Sequence, residues 1–308
     1  GLTGGKEAPM LNHVINRFID RQRWLEPVAD VLQKLVAGLY KALGGPGHSL
    51  KTFFHGTWLG HPLHPVLTDI PIGAWTIAVI FDASYLIERS HGWVSAADVT
   101  IFIGLLGALG AAVSGYTDWS DTFGRERRVG MAHGLLNTVV IVVYLVSFIL
   151  RVTGGSRGLA ILLAYAGYLL VVTAAFLGGD LVFAIGTGVN HHAWQEVPTK
   201  FTKVLLEGQL AEGVLVKGLA GDTPILLYKK GDSVCAISET CSHAGGPLSE
   251  GELLAGNLVQ CPWHASRFDV CTGQVKGGPA TISQVRYETR IQNGQIEVRR
   301  SDDTLQPN

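Results

Sequence analysis

The hydrophobic and polar positions along this chain follow three patterns in turn. Near the N-terminus, apolar residues recur every three or four positions from Val28 to Leu43, which predicts an amphipathic helix. The Gly-Gly-Pro-Gly run at 44–47 is predicted to stop that helix. From about residue 66 to 189 apolar residues are nearly continuous. After residue 200, short runs of alternating or β-branched residues bounded by Gly and Asp indicate β-strands.

Four apolar segments make up the central region, at about 66–88, 97–117, 132–152 and 159–179. Each has roughly the 20 residues that a helix needs to cross a bilayer. Glycine-rich stretches within the segments suit close helix packing, because small residues let helices approach each other in lipid. We therefore predict a membrane all-α four-helix bundle plus a small all-β domain, with both ends of the bundle region on one side.

The predicted division of the chain has four parts. Residues 1–60 form a peripheral region with the amphipathic helix, 61–195 the transmembrane domain, 201–300 the β domain and 301–308 a tail. The helix has three open interpretations: it packs on its own membrane domain, lies on the membrane surface or binds another protein. The first 23 residues contain no long apolar run behind a charged start, so we expect no signal peptide there.

Charge separates the remaining classes of function. The formal net charge of -1 gives no basic surface of the kind that nucleic acid requires, so we expect no nucleic-acid partner. Lys and Arg residues near the span ends number six on the N-terminal side and three on the other. They are Lys51, Arg125, Arg127, Arg128, Lys200 and Lys203, against Arg89, Arg151 and Arg157. The positive-inside rule therefore predicts a multi-pass protein of the inner (plasma) membrane with a cytoplasmic β domain.

Two short motifs in the β region carry the metal chemistry. They are a Cys-x-His pair, Cys241 and His243, and a Cys-x-x-His pair, Cys261 and His264. Two thiolates and two imidazoles suit either a structural zinc or an iron-sulfur centre. Zinc fingers pair their cysteines in one half and their histidines in the other, whereas here each half supplies one of each. That arrangement favours a [2Fe-2S] cluster with two histidines in place of two cysteines.

Residues 201–298 resemble the Rieske family through these motifs and the stretch "CPWHASRFDVCTGQVKGGPA". The resemblance implies that Cys241 and Cys261 hold one iron and that His243 and His264 hold the other, near the solvent, where they form a docking edge. It also implies a cluster environment made by five residues: Gly246, Pro247, Pro262, Ser266 and Phe268.

Departures from the high-potential Rieske proteins place the chain nearer to the ferredoxin-like members. Those proteins carry a disulfide at the positions of Gly246 and Trp263, and a tyrosine at the position of Phe268. Fewer hydrogen-bond donors imply a potential in the lower part of the Rieske range. Cys235 and Cys271 match no ligand position, so we expect ordinary buried thiols, with a disulfide as the alternative.

The membrane region resembles a family of predicted four-span bacterial membrane proteins of unassigned function (DUF2231). The stretches "HPLHPVLTDIPIG", "GYTDWSD", "MAHGLLN" and "GVNHHAW" carry that resemblance. Five histidines fall at span ends on the N-terminal side: His61, His64, His133, His191 and His192. They either cap helices and meet lipid headgroups, or form a candidate haem b or quinone site, because ionisable residues at membrane depth are commonly functional.

Electron transfer is the function that these features predict together. Only 44 residues follow His264, too few for the mononuclear-iron domain of terminal Rieske oxygenases, and the chain has no nucleotide-binding fingerprint. We expect an electron-transfer component rather than a stand-alone enzyme. One hypothesis is a redox subunit of a larger membrane complex that passes single electrons between a quinone or haem and a partner subunit. The alternative is a ferredoxin on an inert anchor that feeds a soluble oxygenase or oxidoreductase.

Overall fold

The computed structural model describes residues 11–302, except for the side chains of Leu11 and His13. In this part of the chain, helices come first and strands follow. The helices are α1 (Leu11–Asp20), α2 (Leu25–Ala42), α3 (Gly44–His55), α4 (Leu63–Glu88), α5 (His91–Trp119), α6 (Gly124–Val152) and α7 (Arg157–Asp180), which a π-helical turn (Leu181–Ile185) extends. The predicted fold class, a membrane four-helix bundle plus a small all-β domain, is confirmed.

Helices α4, α5, α6 and α7 are each long and apolar enough to cross a membrane. They are longer than the predicted spans, because polar residues that flank each apolar segment also adopt helical conformation. Helix α6, for example, begins at Gly124, eight residues before the predicted start at 132. The four spans are therefore confirmed, and the helices extend past the length that hydrocarbon alone requires.

Helix α2 ends just before the Gly-Gly-Pro-Gly run, as predicted, and the run itself forms the first turn of α3. Helix α2 ends at Ala42, and Gly44 has a φ of 61°, which is a left-handed conformation that favours glycine. Pro46 then lies in the first turn of α3, where its missing N–H costs no helical hydrogen bond. One helix therefore ends before the run, and the next helix begins with it.

The chain divides into two compact units that differ from the predicted domains. One unit contains the chain up to Lys41 together with His64–Thr187, and the other contains Ala42–Leu63 together with the chain from Gly188. Helix α3 thus belongs with the β domain, whereas α1 and nearly all of α2 belong with the bundle. We call them the membrane unit and the β unit.

Helices α1 and α2 pack against the ends of the spanning helices within the membrane unit. The Gln33 side-chain amide donates to the backbone oxygens of Trp119 and Thr122, at 3.2 and 3.0 Å. The Tyr40 hydroxyl lies 2.7 Å from the Thr117 hydroxyl. Apolar side chains of both helices join one buried cluster with α5, α6 and α7, including Ile19, Leu25, Trp119, Met131 and Leu177. The amphipathic helix is therefore docked on its own membrane domain.

Helices α4 and α6 meet through three side-chain pairs. Asp82 and Arg151 form a buried ion pair with two hydrogen bonds, of 2.9 and 2.5 Å, and lie 69 residues apart. The same 69-residue interval separates the second pair, Trp75 and Tyr144, whose rings stack at 4.0 Å. It also separates the third pair, His64 and His133, whose ring centres are 6.1 Å apart.

The neighbouring helices support the aromatic pair in matching ways. Trp75 Nε1 donates to the Ile101 backbone oxygen of α5 at 3.3 Å, and the Tyr144 hydroxyl donates to the Ala164 backbone oxygen of α7 at 3.1 Å. Three residues beyond each carbonyl lies a glycine, Gly104 and Gly167 respectively, and a Cβ at either would clash with the aromatic ring, at 2.2 and 2.8 Å. Hairpins α4–α5 and α6–α7 are therefore an internal structural repeat.

The β unit contains two antiparallel sheets. The strands are β1 (Thr202–Leu206), β2 (Leu215–Ala220), β3 (Thr223–Lys230), β4 (Ser233–Ser238), β5 (Glu252–Leu254), β6 (Leu258–Gln260), β7 (Arg267–Asp269), β8 (Val275–Gly277), β9 (Arg286–Gln292) and β10 (Gln295–Arg300). The six-stranded sheet has the order β1-β10-β9-β4-β3-β2, and the four-stranded sheet has the order β5-β6-β7-β8. The two cysteine motifs follow β4 and β6, so one arises from each sheet.

Removing Arg151 tests the importance of the buried ion pair. In Arg151→Met, Asp82 keeps a buried carboxyl group without its cation, so we expect the free energy of unfolding to fall by about 3–5 kcal/mol. Arg157→Gln is the matched control, because Arg157 is partly exposed and its ion pair is with Asp98. There we expect a loss of about 1 kcal/mol or less. Thermal unfolding of both variants in detergent makes the comparison, and equal shifts would contradict the prediction.

Candidate metal centre

The two cysteine motifs lie on loops that fold by the same hydrogen bonds. In the first loop, 240–247, the N–H of Cys241 donates to the oxygen of Gly246, and the N–H of Gly245 donates to the oxygen of Cys241, at 2.8 and 2.9 Å. In the second loop, 260–266, the N–H of Cys261 donates to the oxygen of Ser266 at 2.8 Å, and the N–H of Ala265 donates to the oxygen of Cys261 at 3.0 Å. Each cysteine is thus fixed at the start of an equivalent tight turn.

The fifth residue of each turn adopts a left-handed conformation. Gly245 has a φ of 80°, which glycine adopts without steric cost, and Ala265 has a φ of 58°, which is uncommon for a residue with a Cβ. The turn reverses the chain within five residues, so the histidine two or three positions after each cysteine remains on the same side as the sulfur. The backbone geometry therefore explains why the motif is so short.

The two cysteine side chains meet in the interior of the β unit. Cys241 and Cys261 are both buried, and their thiols hydrogen-bond each other. That hydrogen bond lowers the pKa of Cys261 to about 7, helped by the backbone N–H groups of Trp263 and His264, whereas the same bond and burial raise the pKa of Cys241. Backbone N–H donors directed at sulfur are also a common means of stabilising iron-sulfur clusters.

The two histidines of the motifs lie beside each other. The rings of His243 and His264 are 4.8 Å apart between centres and nearly perpendicular, at 81°. His243 is half-buried and His264 is 6% exposed, whereas the neighbouring Trp263 is 49% exposed. Trp263 is therefore the most exposed of the three side chains, and His264 is buried, whereas the resemblance implied a ring near the solvent.

The four side chains and the space around them fit a [2Fe-2S] cluster. Two sulfurs from two loops lie together, and two imidazoles from the same loops lie together, which is the donor set of a Rieske centre. Gly246 is buried against this site, and a Cβ there would lie 2.9 Å from Cys261 Sγ and 3.1 Å from the Trp263 ring. In this chain, glycine at this position leaves room between the Cys261 sulfur and the Trp263 ring, which a Cβ would fill.

A third segment, 277–281, closes the second loop. Ser266 is fully buried, and its hydroxyl oxygen accepts a hydrogen bond from the Ala280 N–H at 3.0 Å. The Ala280 oxygen in turn accepts from the Thr57 hydroxyl at 3.1 Å, and a Cβ at Gly278 would lie 2.7 Å from the His55 ring. The end of α3 is thus tightly packed on this segment.

The remaining members of the predicted cluster environment have different roles. Phe268 is fully buried in the middle of β7 and belongs to the same apolar cluster as both cysteines. Pro247 pairs with Thr240 across the base of the first loop. Pro262 is exposed. Phe268 and Pro247 therefore support the loops from inside, whereas Pro262 lies on the outer face.

A polar layer behind the first loop was not predicted as part of the metal centre. His192 is buried and its Nε2 lies 2.5 Å from the Thr240 oxygen, while the His191 N–H donates to the Ser242 oxygen at 3.2 Å. Burial lowers the pKa of His192 below its usual value, so the ring is neutral at pH 7. The Ser242 hydroxyl donates to the Ile282 oxygen at 2.7 Å. These contacts fix the backbone on both sides of Cys241.

Glu239 is a second residue that sequence reasoning missed. It is buried just before the first loop, where its carboxylate accepts hydrogen bonds from the N–H and hydroxyl of Ser249, at 3.0 and 2.5 Å. Burial raises the pKa of Glu239 above its usual value. The only available signal was a carboxylate two residues before a ligand, which is too weak to single out from sequence.

The expectation of ordinary buried thiols at Cys235 and Cys271 was wrong. The two form a disulfide, with Cα atoms 4.6 Å apart and a sequence separation of 36. Cys235 lies in β4, and Cys271 lies in the turn after β7, which Asp269 shapes by accepting from two backbone N–H groups. The bond therefore ties the six-stranded sheet to the sheet that carries the second cluster loop.

The five candidate membrane histidines divide between the two compact units. His64 and His133 lie together in the membrane unit. His61, His191 and His192 belong to the β unit, where the last two contact the first cluster loop. At the other end of the bundle, the structure adds an ion network that sequence reasoning left undefined, made by Asp82, Asp98, Arg151 and Arg157.

A substitution at Gly246 tests whether the space beside Cys261 is needed for the cluster. In Gly246→Ala the added methyl group overlaps the sulfur, so we expect the iron content of the purified protein to fall below about half of the wild-type value. Gly208→Ala is the matched control, since Gly208 lies in the same unit with open space around it. Equal iron content in the two variants would show that the contact is unimportant.

Comparison with protein families matches both parts of the chain. Residues 60–191 match the family described as "Predicted membrane protein (DUF2231)", and residues 200–288 match the Rieske [2Fe-2S] domain. The second match contains all four residues of the metal centre. The first contains the four spanning helices.

Curated relatives match the C-terminal region. Ferredoxin CarAc of Metapseudomonas resinovorans is 36% identical over 25% of this chain and 72% of its own length. The anthranilate 1,2-dioxygenase ferredoxin subunit of Burkholderia cepacia is 40% identical, over 26% of this chain and 73% of its own length. The biphenyl 2,3-dioxygenase ferredoxin component of Rhodococcus jostii (strain RHA1) is 34% identical, over 32% and 90% respectively. The chain therefore belongs to the Rieske [2Fe-2S] family, as a ferredoxin-like electron-transfer domain joined to a DUF2231 membrane domain.

Proposed function

We propose that this protein is a redox subunit of a larger membrane oxidoreductase complex. It passes single electrons between a donor in the membrane, a quinone or haem, and a partner protein. The observation that carries the proposal is the pair of imidazoles, His64 and His133, inside the membrane unit. An ion pair can simply hold two helices together, but an inert anchor has no need of paired imidazoles in its spanning helices, because ionisable residues are costly in lipid.

The residues of the β unit hold and adjust the carrier. Cys241 and Cys261 would bind one iron, and His243 and His264 the other. When bound, the [2Fe-2S] cluster takes up and releases one electron at a time. The matching backbone turns fix the four side chains before the metal arrives, so little reorganisation accompanies the change of charge. The exposed Trp263 provides apolar contact area for a redox partner at the same edge.

The protein environment favours a low potential within the Rieske range. Phe268 is fully buried and supplies no hydroxyl group to the cluster. The Ser266 hydroxyl oxygen accepts from the Ala280 N–H and keeps its own hydrogen, so Ser266 remains a donor and only the tyrosine hydroxyl is missing. Fewer donors leave the additional negative charge of the reduced cluster less stabilised. This matches a carrier of the ferredoxin-like type.

The alternative function is a ferredoxin tethered by an inert anchor. The curated relatives favour it, because two of those named above are ferredoxin components of dioxygenase systems. In that case a soluble oxidoreductase would reduce the cluster, and a soluble oxygenase would oxidise it. The bundle would then serve only to keep the carrier at the membrane.

The proposed location is the inner (plasma) membrane, with the β unit on the cytoplasmic side. The count of six Lys and Arg residues against three near the span ends supports this orientation. Arg127 and Arg128, which belong to the more basic side, form ion pairs with Glu26, and Arg127 also bonds Asp30. The rule depends on the positive residues themselves and not on the net charge.

Loss of one imidazole tests the ligand assignment. We expect His264→Ala to abolish the rhombic electron paramagnetic resonance signal of the dithionite-reduced protein and to leave the chain in the membrane, because the bundle folds from other residues. His48→Ala is the matched control, an exposed histidine of the same unit. An unchanged signal in His264→Ala would overturn the assignment.

Reduction by a lipid-soluble quinol separates the two functions. The purified protein is reconstituted in phosphatidylcholine vesicles that contain a low-potential naphthoquinol, which suits the low potential expected of the cluster, and bleaching of the cluster absorbance is followed. A redox subunit is expected to be reduced by the quinol or by a haem that the quinol reduces. A tethered ferredoxin is expected to remain oxidised until a soluble NADH-dependent ferredoxin reductase is added, and that result would favour the alternative.

A further inference from the structure

The internal repeat of the membrane unit gives His64 and His133 matching surroundings. His64 Nδ1 lies 2.8 Å from the Ala111 oxygen of α5, and His133 Nδ1 lies 2.9 Å from the Ala174 oxygen of α7. Both carbonyls belong to the same short pattern, which reads Ala-Ala-Val-Ser-Gly at 111–115 and Ala-Ala-Phe-Leu-Gly at 174–178. Each hairpin therefore holds its histidine through the neighbouring helix in the same way.

The last residue of each pattern makes room for the ring. A Cβ at Gly115 would lie 2.7 Å from the Cε1 and Nδ1 atoms of His64, and a Cβ at Gly178 would lie 3.2 Å from Cε1 of His133. A side chain at Gly115 would displace the imidazole, and one at Gly178 would press against it. Both hairpins thus keep a glycine where the histidine ring packs on its neighbour helix.

The hydrogen bonds determine which nitrogen of each ring carries the proton. A carbonyl oxygen only accepts, so Nδ1 of each ring is the protonated nitrogen and donates. Nε2 of each ring then carries a lone pair, which is the form in which imidazole binds a metal ion. A backbone carbonyl on the opposite nitrogen is the usual support of a metal-ligating histidine. The Asn137 amide lies over the His133 ring, 3.2 Å from Nε2, and is bonded to the His133 oxygen at 2.9 Å.

The distance between the rings also suits a shared ion. Two imidazole nitrogens that each bind a metal at about 2 Å separate their ring centres by about 6 Å. The observed separation is 6.1 Å, and the ring planes are perpendicular, at 89°. Sites at the interface of internal repeats commonly receive equivalent ligands from both halves. The two histidines occupy equivalent positions of the two hairpins.

We propose that His64 and His133 bind one transition-metal ion in the membrane unit, through Nε2 of each ring. The iron of a b-type haem and a bare ion such as iron or copper share this ligand chemistry. The inference deepens the proposed function. The role of this metal as an electron donor in the membrane rests on that function. Metal binding itself is independent of the β unit. The remaining candidates, His61, His191 and His192, are not part of this site.

The test is metal analysis and visible spectroscopy of the full chain purified in detergent. The protein is incubated with haemin, and separately with ferrous and cupric salts, and excess reagent is removed. We compare wild type with His64→Ala and His133→Ala, and with the matched control His91→Ala, an exposed histidine at the opposite end of the bundle. The cluster signal of each variant is recorded in parallel, so that loss of the membrane site is distinguished from loss of the cluster.

A sharp α-band in the reduced-minus-oxidised spectrum, absent from both variants and present in His91→Ala, supports haem iron. A metal equivalent beyond the two cluster irons, without an α-band and absent from both variants, supports a bare ion. Wild-type protein that takes up neither would overturn the proposal, whatever the state of its cluster. So would uptake that both variants retain.

A misfolded variant is recognised by chemical rescue. His64→Gly leaves a gap of the size of the imidazole, and imidazole added to the buffer is expected to restore binding where the bundle is intact. Failure of imidazole to restore the metal in His64→Gly, with normal thermal unfolding of that variant, would show that the ring is not a ligand.

Discussion

The hydrogen bond from each ligand cysteine N–H to the carbonyl five residues later is the interaction on which the metal centre depends. It closes a turn small enough to keep cysteine and histidine on one side, and it occurs twice. Three residues around the two turns support them. Gly246 leaves space beside the sulfur, Ser266 binds the third segment, and Ser242 holds the first turn from behind. The sheets matter chiefly because β4 and β6 deliver the two turns to one place.

The membrane unit also repeats one arrangement, because its two hairpins contact each other through three side-chain pairs. Each of the two hairpins places one polar or aromatic residue at each of three levels of depth along the bundle. At each level that residue contacts its counterpart in the other hairpin. The pairs are chemically unlike at two of the three levels, because tryptophan meets tyrosine and aspartate meets arginine. Only the histidine level keeps identical residues. Identical residues at the third level are what a ligand shared by the two hairpins would require.

Much of this organisation could be predicted from sequence, because it depends on local pattern. Continuous apolar runs predicted the four spans, and the spacing of Cys241, His243, Cys261 and His264 predicted the candidate metal centre. The internal repeat was not predicted because its two hairpins differ in length. The sequence separation between His64 and its carbonyl partner is 47, whereas that between His133 and its carbonyl partner is 41. The grouping of α3 with the β unit rests on contacts such as that of Thr57 with Ala280, which lie 223 residues apart. No periodicity within a segment reports such distant contacts.

The disulfide between Cys235 and Cys271 depends on the redox conditions around the β unit. Such bonds persist in oxidising compartments and are reduced in the cytosol. The bond joins a strand of one sheet to a turn next to the other sheet. The oxidation state of these two sulfurs in protein taken from cells therefore reports the redox environment of the β unit. It indicates the side of the membrane on which the β unit lies independently of the count of basic residues.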